Sequence, residues 1–261
     1  MVLYPPANQI AFSLFNINIY WYGIIMAFAI LVGIIVSCFL FKNNNSKDEY
    51  DKFSDVIPIV IISSIIGARF FYVIGDWNYY SKHLSEIIMV NHGGISIYGA
   101  IIFGVITFYI CSKVSNFSML KYCDTVATVM PLCQSIGRWG NFINQEAYGL
   151  PYNGFLKMYI DKIHRYPALS DVSYYHPAFL YESVFDFALF FILLFLFFNN
   201  KKIKSGTIFY LYLILYALIR LFIENIRVDS ILNISGIHIA TILSALVIIF
   251  SLTGLKMLYN K

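Results

Sequence analysis

The chain has 261 residues, of which 59% are hydrophobic and only 12% charged, with a formal net charge of +4 and a mean hydropathy of +0.71. Soluble domains carry roughly 25% charged residues, so little of this surface meets water and an ordinary soluble domain is excluded. The composition implies an all-α, polytopic integral membrane protein.

The N-terminal stretch "MVLYPPANQIAFSLF" has no Lys or Arg and contains Pro5-Pro6. That is not the basic start of a cleaved signal peptide, so the N-terminus is expected to be retained. Spanning the hydrocarbon takes about 20 apolar residues in a helix, and seven segments qualify. The first is Tyr20–Phe41, the second about Ser54–Ile74 and the third about Ile95–Cys111. The fourth, about Tyr122–Ile136, is short unless the polar stretch after it continues the helix. The fifth is about Phe179–Phe198, the sixth about Thr207–Ile226 and the seventh about Ile237–Leu258. Cys38, Cys111, Cys123 and Cys133 fall in or beside these runs with no CxxC pair. They read as small buried hydrophobes, without a disulfide framework or metal site.

Lys and Arg favour the cytoplasmic side of a membrane protein. One set of loops holds Lys42, Lys47, Lys52, Lys113, Lys121, Lys201, Lys202, Lys204, Lys256 and Lys261; the other holds Lys82, Arg138, Lys157, Lys162, Arg165 and Arg227. The N-terminus is therefore expected outside and the C-terminus inside. The external segments are then about 75–94, 137–178 and 227–236, with 137–178 forming a small head on a single transmembrane catalytic domain, 1–261.

Ionisable residues inside spans are costly and face a partner or a polar cavity. Arg69, Asp124, Glu182, Asp186, Arg220 and Glu224 are such residues. Arg220, Glu224 and Arg227, at i, i+4 and i+7, share one helix face. They make a positive–negative–positive stripe, read either as an ion pair that fixes packing or as a cationic site for an anion. Arginine suits phosphate because its planar fork donates two parallel hydrogen bonds. "GRWGNFINQEAYG", residues 137–149, offers a second stripe. If the helix continues, Arg138, Asn141 and Gln145 share a face, while Gly137, Gly140 and Gly149 permit close backbone approach. A third place is "HGGISIYGA", residues 92–100, where Tyr98 stands beside Gly93, Gly94 and Gly99. His176 lies in "YYHPAFLYES".

These blocks carry a resemblance. "GRWGNFINQEAYG" resembles the signature of the prolipoprotein diacylglyceryl transferase family, G-R-x-G/A-N-F/Y-x-N-x-E-x-x-G, with every fixed position filled. "HGGISIYGA" is similar to the family's Gly-Gly-x-x-x-His/Tyr-Gly-Gly segment, with Tyr98 where His is frequent and Ala100 for the last glycine. "YWYGI", "GARFFYVI", "HPAFLYES" and "RLFIENIR" resemble further blocks in the same order. The resemblance implies transfer of the sn-1,2-diacylglyceryl group from phosphatidylglycerol to the lipobox cysteine of a prolipoprotein signal peptide. The products are a thioether and glycerol-1-phosphate. It also implies a multi-pass protein of the bacterial plasma membrane whose site faces the outer leaflet.

On that basis Arg138 and Arg220 hold the phosphate, while Asn141 and Asn144 donate to the head group or brace Arg138. Glu146 and Glu224 orient the arginines, and Arg227 and Gly99 add contacts. Tyr22, Tyr98 and His176 contact lipid or assist thiol deprotonation. A phenol titrates near 10, so Tyr98 needs help to act as a base. No cofactor, metal or nucleic-acid partner is expected. A transporter is the alternative class, but the two halves show no internal repeat. A purely structural subunit leaves the density of Arg, Asn and Glu in 137–149 without a use.

Overall fold

The computed structural model describes residues 1–14, 17–89, 94–199, 203–228, 233–234 and 237–260. His92, Gly93, Lys201 and Lys202 of the blocks above, and parts of 227–236, lie outside the described residues. Short strands lead the chain: β1 (Val2–Leu3), β2 (Ile10–Leu14) and β3 (Ile17–Tyr20). Helices α1 (Trp21–Asn44), α2 (Lys47–Gly75), α3 (Trp77–Tyr80), α4 (Ile97–Val114) and α5 (Met119–Asn144) follow. Strands β4 (Lys157–Tyr159) and β5 (Tyr174–Tyr175) precede α6 (Ala178–Asn199) and α7 (Thr207–Glu224). Strands β6 (Asn233–Ile234) and β7 (Ile237–His238) then lead into α8 (Ile239–Tyr259).

The protein is a polytopic α-helical membrane protein. Among the described residues, α1, α2, α4, α6, α7 and α8 are long and apolar enough to cross a membrane. The fourth expected span corresponds to α5, which runs 26 residues through Arg138 to Asn144. It falls short of the others in apolarity because it carries Asp124, Gln134, Arg138, Asn141 and Asn144. Helix α2 begins seven residues before the expected start because its signals are local. Ser46 is its N-cap, with Oγ accepting from the Glu49 N–H at 3.4 Å, and Asp48 and Glu49 occupy the first turn.

The chain forms two compact units, Met1–Ser37 with Cys123–Lys261, and Cys38–Tyr122. In the second unit Phe41 stacks on Phe53 at 4.2 Å and Tyr122 packs edge-on to both. Helices α2 and α4 approach so closely that a Cβ on Gly99 would lie 2.1 Å from the Gly67 carbonyl oxygen. Small residues at such a crossing let backbones meet. Arg69 ties the following segment to α2, donating to the carbonyls of Glu86 (2.5 Å), Ile87 (2.7 Å) and Gly94 (2.8 Å). Gly94 is left-handed, φ 76°. Gly94 and Gly99 therefore have structural tasks of their own. Tyr98 is exposed and makes no side-chain hydrogen bond among the described residues.

In the first unit α1 lies along α5 through a seam of small contacts. Cβ atoms on Gly33, Gly137 and Gly140 would meet Cys133 Sγ at 2.6 Å, Met26 Sδ at 3.3 Å and the Tyr22 ring at 2.7 Å. The pairing order shows the helices are antiparallel. Ser135 and Ser183 exchange hydrogen bonds to each other's carbonyls at 2.8 and 2.9 Å, joining α5 to α6. Ala127, Leu189, Leu193, Ile208 and Tyr212 fill the space among α5, α6 and α7. The polar segment after α5 folds over its own core of Tyr148, Met158, Ile160, Tyr175 and Phe179. There β1 pairs parallel with β4, and β5 pairs antiparallel with it. All four cysteines are free and half-buried. Gly99→Val is expected to lower stability by about 2 kcal/mol or more, read as thermal unfolding in detergent. Gly23→Ala, with nothing within 4 Å of the added methyl, should leave the transition in place.

Candidate active site

Helix α5 delivers the polar signature and then stops abruptly. Gln145 and Ala147 both adopt left-handed backbone, φ 56°, where a side chain costs energy. The Gln145 side chain offsets that cost by bonding Asp161 twice, donating from Nε2 to the carboxylate and accepting the Asp161 N–H at 2.6 Å. Gln145 therefore points away from Arg138, and the expected Arg138–Asn141–Gln145 stripe loses its third member. The chain then runs extended through Tyr148–Leu150 between two neighbours. On one side the Leu150 N–H reaches the Ile226 carbonyl at 2.8 Å, and the Val228 N–H reaches that of Tyr148 at 3.3 Å. On the other, Gly149 and His176 exchange strand-like bonds, Gly149 N–H to His176 O at 2.8 Å and His176 N–H to Leu150 O at 3.0 Å. A Cβ on Gly149 would lie 2.7 Å from His176 Cβ, so only glycine fits. Three sequence blocks, around Gly149, His176 and Arg227, thus meet in one small ladder.

Beneath it lies a buried ionic chain. Arg138 Nη2 bonds Glu182 Oε1 at 2.7 Å, and Arg220 Nη1 approaches the same oxygen at 3.4 Å. Arg220 Nη2 holds Glu224 Oε2 at 2.6 Å, and His238 Nδ1 lies 3.4 Å from Glu224 Oε1. The Glu182 side chain is 2% exposed and the two arginines 20% and 17%. Tyr216 OH accepts from Arg138 at 3.3 Å, and Asn141 Oδ1 lies at 3.5 Å. The Asn141 amide donates to Glu146 at 2.8 Å, with Asn144 at 3.5 Å from the same oxygen. Arg138 Nε and both Asp186 oxygens are buried with no hydrogen-bond partner among the described residues. Tyr22, seated on Gly140, lies within the fields of Glu146 and Arg138.

Two guanidinium groups thus converge on one carboxylate near the end of the polar signature. The chain matches the family described as prolipoprotein diacylglyceryl transferase over residues 9–257. It belongs to that family. A Finegoldia magna protein named phosphatidylglycerol–prolipoprotein diacylglyceryl transferase is 40% identical over 254 residues, 97% of this chain and 96% of its own. Proteins of the same name from Trichormus variabilis and Clostridioides difficile are 38% and 39% identical, covering 99% and 93% of this chain and 92% of each relative.

Within this family member the geometry corrects one expectation and adds one residue. Among the described residues Glu146 makes no ion pair with the arginines: it holds Asn141 and Asn144, and is linked to Arg138 through Asn141. Glu182 is the residue that Arg138 and Arg220 share, and it stood outside the expected site. Its signal was its charge, since a carboxylate in an apolar helix needs a cation. Arg227 lies just past the end of α7 at Glu224; its N–H reaches the Ile223 carbonyl at 3.1 Å and its backbone bridges Gly149. Tyr98 and Gly99 belong to the other unit.

Removing one partner of a buried ion pair strands the other, at about 3–5 kcal/mol. Glu182→Ala is therefore expected to destabilise the protein by that order, read by chemical unfolding; Glu146→Ala, at the exposed end of the network, should cost far less. The His176 imidazole stacks on Tyr152 at 3.8 Å between ring centres, and Nδ1 lies 3.1 Å from Tyr181 OH. Burial holds its pKa below the ordinary 6.5. The unfolded chain then binds the proton more readily, so stability falls as pH drops below about 6.5. His176→Gln should flatten the dependence of unfolding temperature on pH across that window.

Proposed function

We propose that this chain transfers the sn-1,2-diacylglyceryl group of phosphatidylglycerol to the lipobox cysteine of prolipoproteins. The observation that carries the reading is the convergence of Arg138 and Arg220 on Glu182. The cysteine sulfur attacks the glyceryl carbon bearing the phosphate ester. The S–C bond forms as the C–O bond breaks, and the electron pair leaves on the phosphate oxygen of glycerol-1-phosphate. The thiol proton must go to a base. The phosphodiester begins with one negative charge and leaves as a phosphomonoester with more. Donors fixed before the reaction therefore stabilise the departing group more than the bound lipid, which accelerates the bond-breaking step.

Glu182 holds both guanidinium planes at once, leaving other N–H groups of each for the anion. Asn141 and Asn144, tied by Glu146, brace the Arg138 side, and Glu224 braces Arg220. Tyr22 contributes a lipid contact. Gly99 and Arg227 keep the same assignment from the resemblance. Tyr98 and His176 are the bases offered by the chain. The His176 imidazole, whose pKa burial holds below the ordinary 6.5, is neutral at pH 7 and can accept a proton. We place the site toward the outer leaflet of the plasma membrane, with the Lys-rich turn 42–52 on the cytoplasmic side, in keeping with an acceptor that arrives after export.

Purified protein given phosphatidylglycerol and a lipobox peptide is expected to add a diacylglyceryl mass to the peptide by mass spectrometry, and none when the cysteine is serine. Arg138→Lys and Arg220→Lys keep the charge but lose the fork, and each should lower turnover about 100-fold or more. Wild-type turnover in both variants would remove the phosphate from the two arginines.

A further inference from the structure

The reaction proposed above requires Arg138 and Arg220 to stand level, and the following inference rests on that reading. The arginines lie near the C-terminal ends of α5 and α7. A helix that slips by one residue moves about 1.5 Å and turns about 100°, enough to separate them. Something must fix the register of α5 against α7.

The structure supplies a fixed point at the other end of both helices. Asp124, buried on α5, sends both carboxylate oxygens to the start of α7. The Gly206 N–H donates to Oδ2 at 2.6 Å and the Phe209 N–H to Oδ1 at 2.8 Å. The first N–H groups of a helix have no partner within it, and an anion there complements the helix dipole. Helix α7 has no side-chain cap from its own flanking residue, Gly206, whose backbone is left-handed at φ 100°. Glycine adopts that conformation at little cost, and the turn aims its N–H at Asp124. The cap therefore comes from another helix, and through two bonds rather than one.

The spacing connects this cap to the site. Fourteen residues separate Asp124 from Arg138, and fourteen separate Gly206 from Arg220. Arg138 also reaches Tyr216 of α7 at 3.3 Å, so α5 and α7 run the same way. Equal spacing along parallel helices leaves the two arginines level, about 21 Å from the cap. Glu182 spans them there. We propose that Asp124 is a positioning residue, which caps α7 from α5 and so sets the register that brings Arg138 and Arg220 together on Glu182.

The test uses Asp124→Ala and Asp124→Asn in full-length protein with the four native cysteines replaced. Spin labels at Met130→Cys and Leu218→Cys, exposed positions on α5 and α7, report the helix register by double electron–electron resonance in phosphatidylglycerol nanodiscs. Asp124→Ala is expected to move the mean distance by about one residue's rise, 1.5 Å, or more. Its kcat should fall about tenfold or more, as ångström-scale misplacement of binding groups does. Asp124→Asn keeps one acceptor and should show a smaller change in both readings. If Asp124→Ala fails to fold, the same two readings on Asp124→Asn decide. A wild-type distance distribution in the variants, or a moved distance with wild-type kcat, overturns the proposal. If the parent protein inserts but transfers nothing, the transferase reading falls, and the distances still decide the role of Asp124.

Discussion

Two half-buried arginines share the buried Glu182 carboxylate, and the arrangement of the first unit follows from the need to bring them there. The three residues come from α5, α6 and α7, so no one helix can form the site. Burying these charges is costly, and the cost is recovered only with good geometry and further hydrogen bonds. The further bonds are present: Tyr216 and Asn141 on Arg138, and Glu224 on Arg220. The geometry is held from outside the site. The reciprocal Ser135–Ser183 bonds set α5 against α6. The glycines of the signature serve the same end, since Gly137 and Gly140 seat Met26 and Tyr22 of α1 on α5.

The helical, membrane-spanning architecture was legible because it is written in composition. Runs of about twenty apolar residues have few other uses, and six of the seven expected spans are helices apolar enough to cross. The remaining one, the fourth (α5), blends into the polar signature, so apolarity understated its length. The ends of elements were less legible. Asn144, Gln145, Glu146 and Ala147 include strong helix formers, yet Gln145 and Ala147 turn left-handed. The reason is a distant residue, Asp161, which binds the Gln145 amide from both sides. Local propensity carries no trace of it. The surroundings of Arg227 show a similar limit: Ile226 and Val228 pair with the Tyr148–Leu150 segment, a distant contact that the i, i+4, i+7 spacing does not carry. Arg138, Arg220 and Glu224 were readable as ionisable residues with nowhere to go, but which carboxylate served which arginine depended on how three helices met.

The sequence left the charged stripe open as an ion pair or a cationic site, and in the structure the arginines are accompanied by carboxylates. Arg138 and Arg220 stand among Glu182, Glu224 and Asp186, and Asp186 lies within the fields of both arginines. For the proposed reaction this balance has a chemical consequence. At about 4 Å and an effective dielectric near 20, each unit-charge contact is worth about 4 kcal/mol. A pair of unaccompanied arginines would therefore bind the lipid phosphate tightly and the more highly charged product tighter still, leaving the glycerol phosphate trapped. Carboxylates beside the arginines weaken both states. The bound lipid and the departing phosphate still differ by the charge that develops as the C–O bond breaks, and it is that difference, not the absolute affinity, that lowers the barrier. Under the proposed reaction, carboxylates beside the arginines would therefore leave the rate advantage in place while easing release of the product.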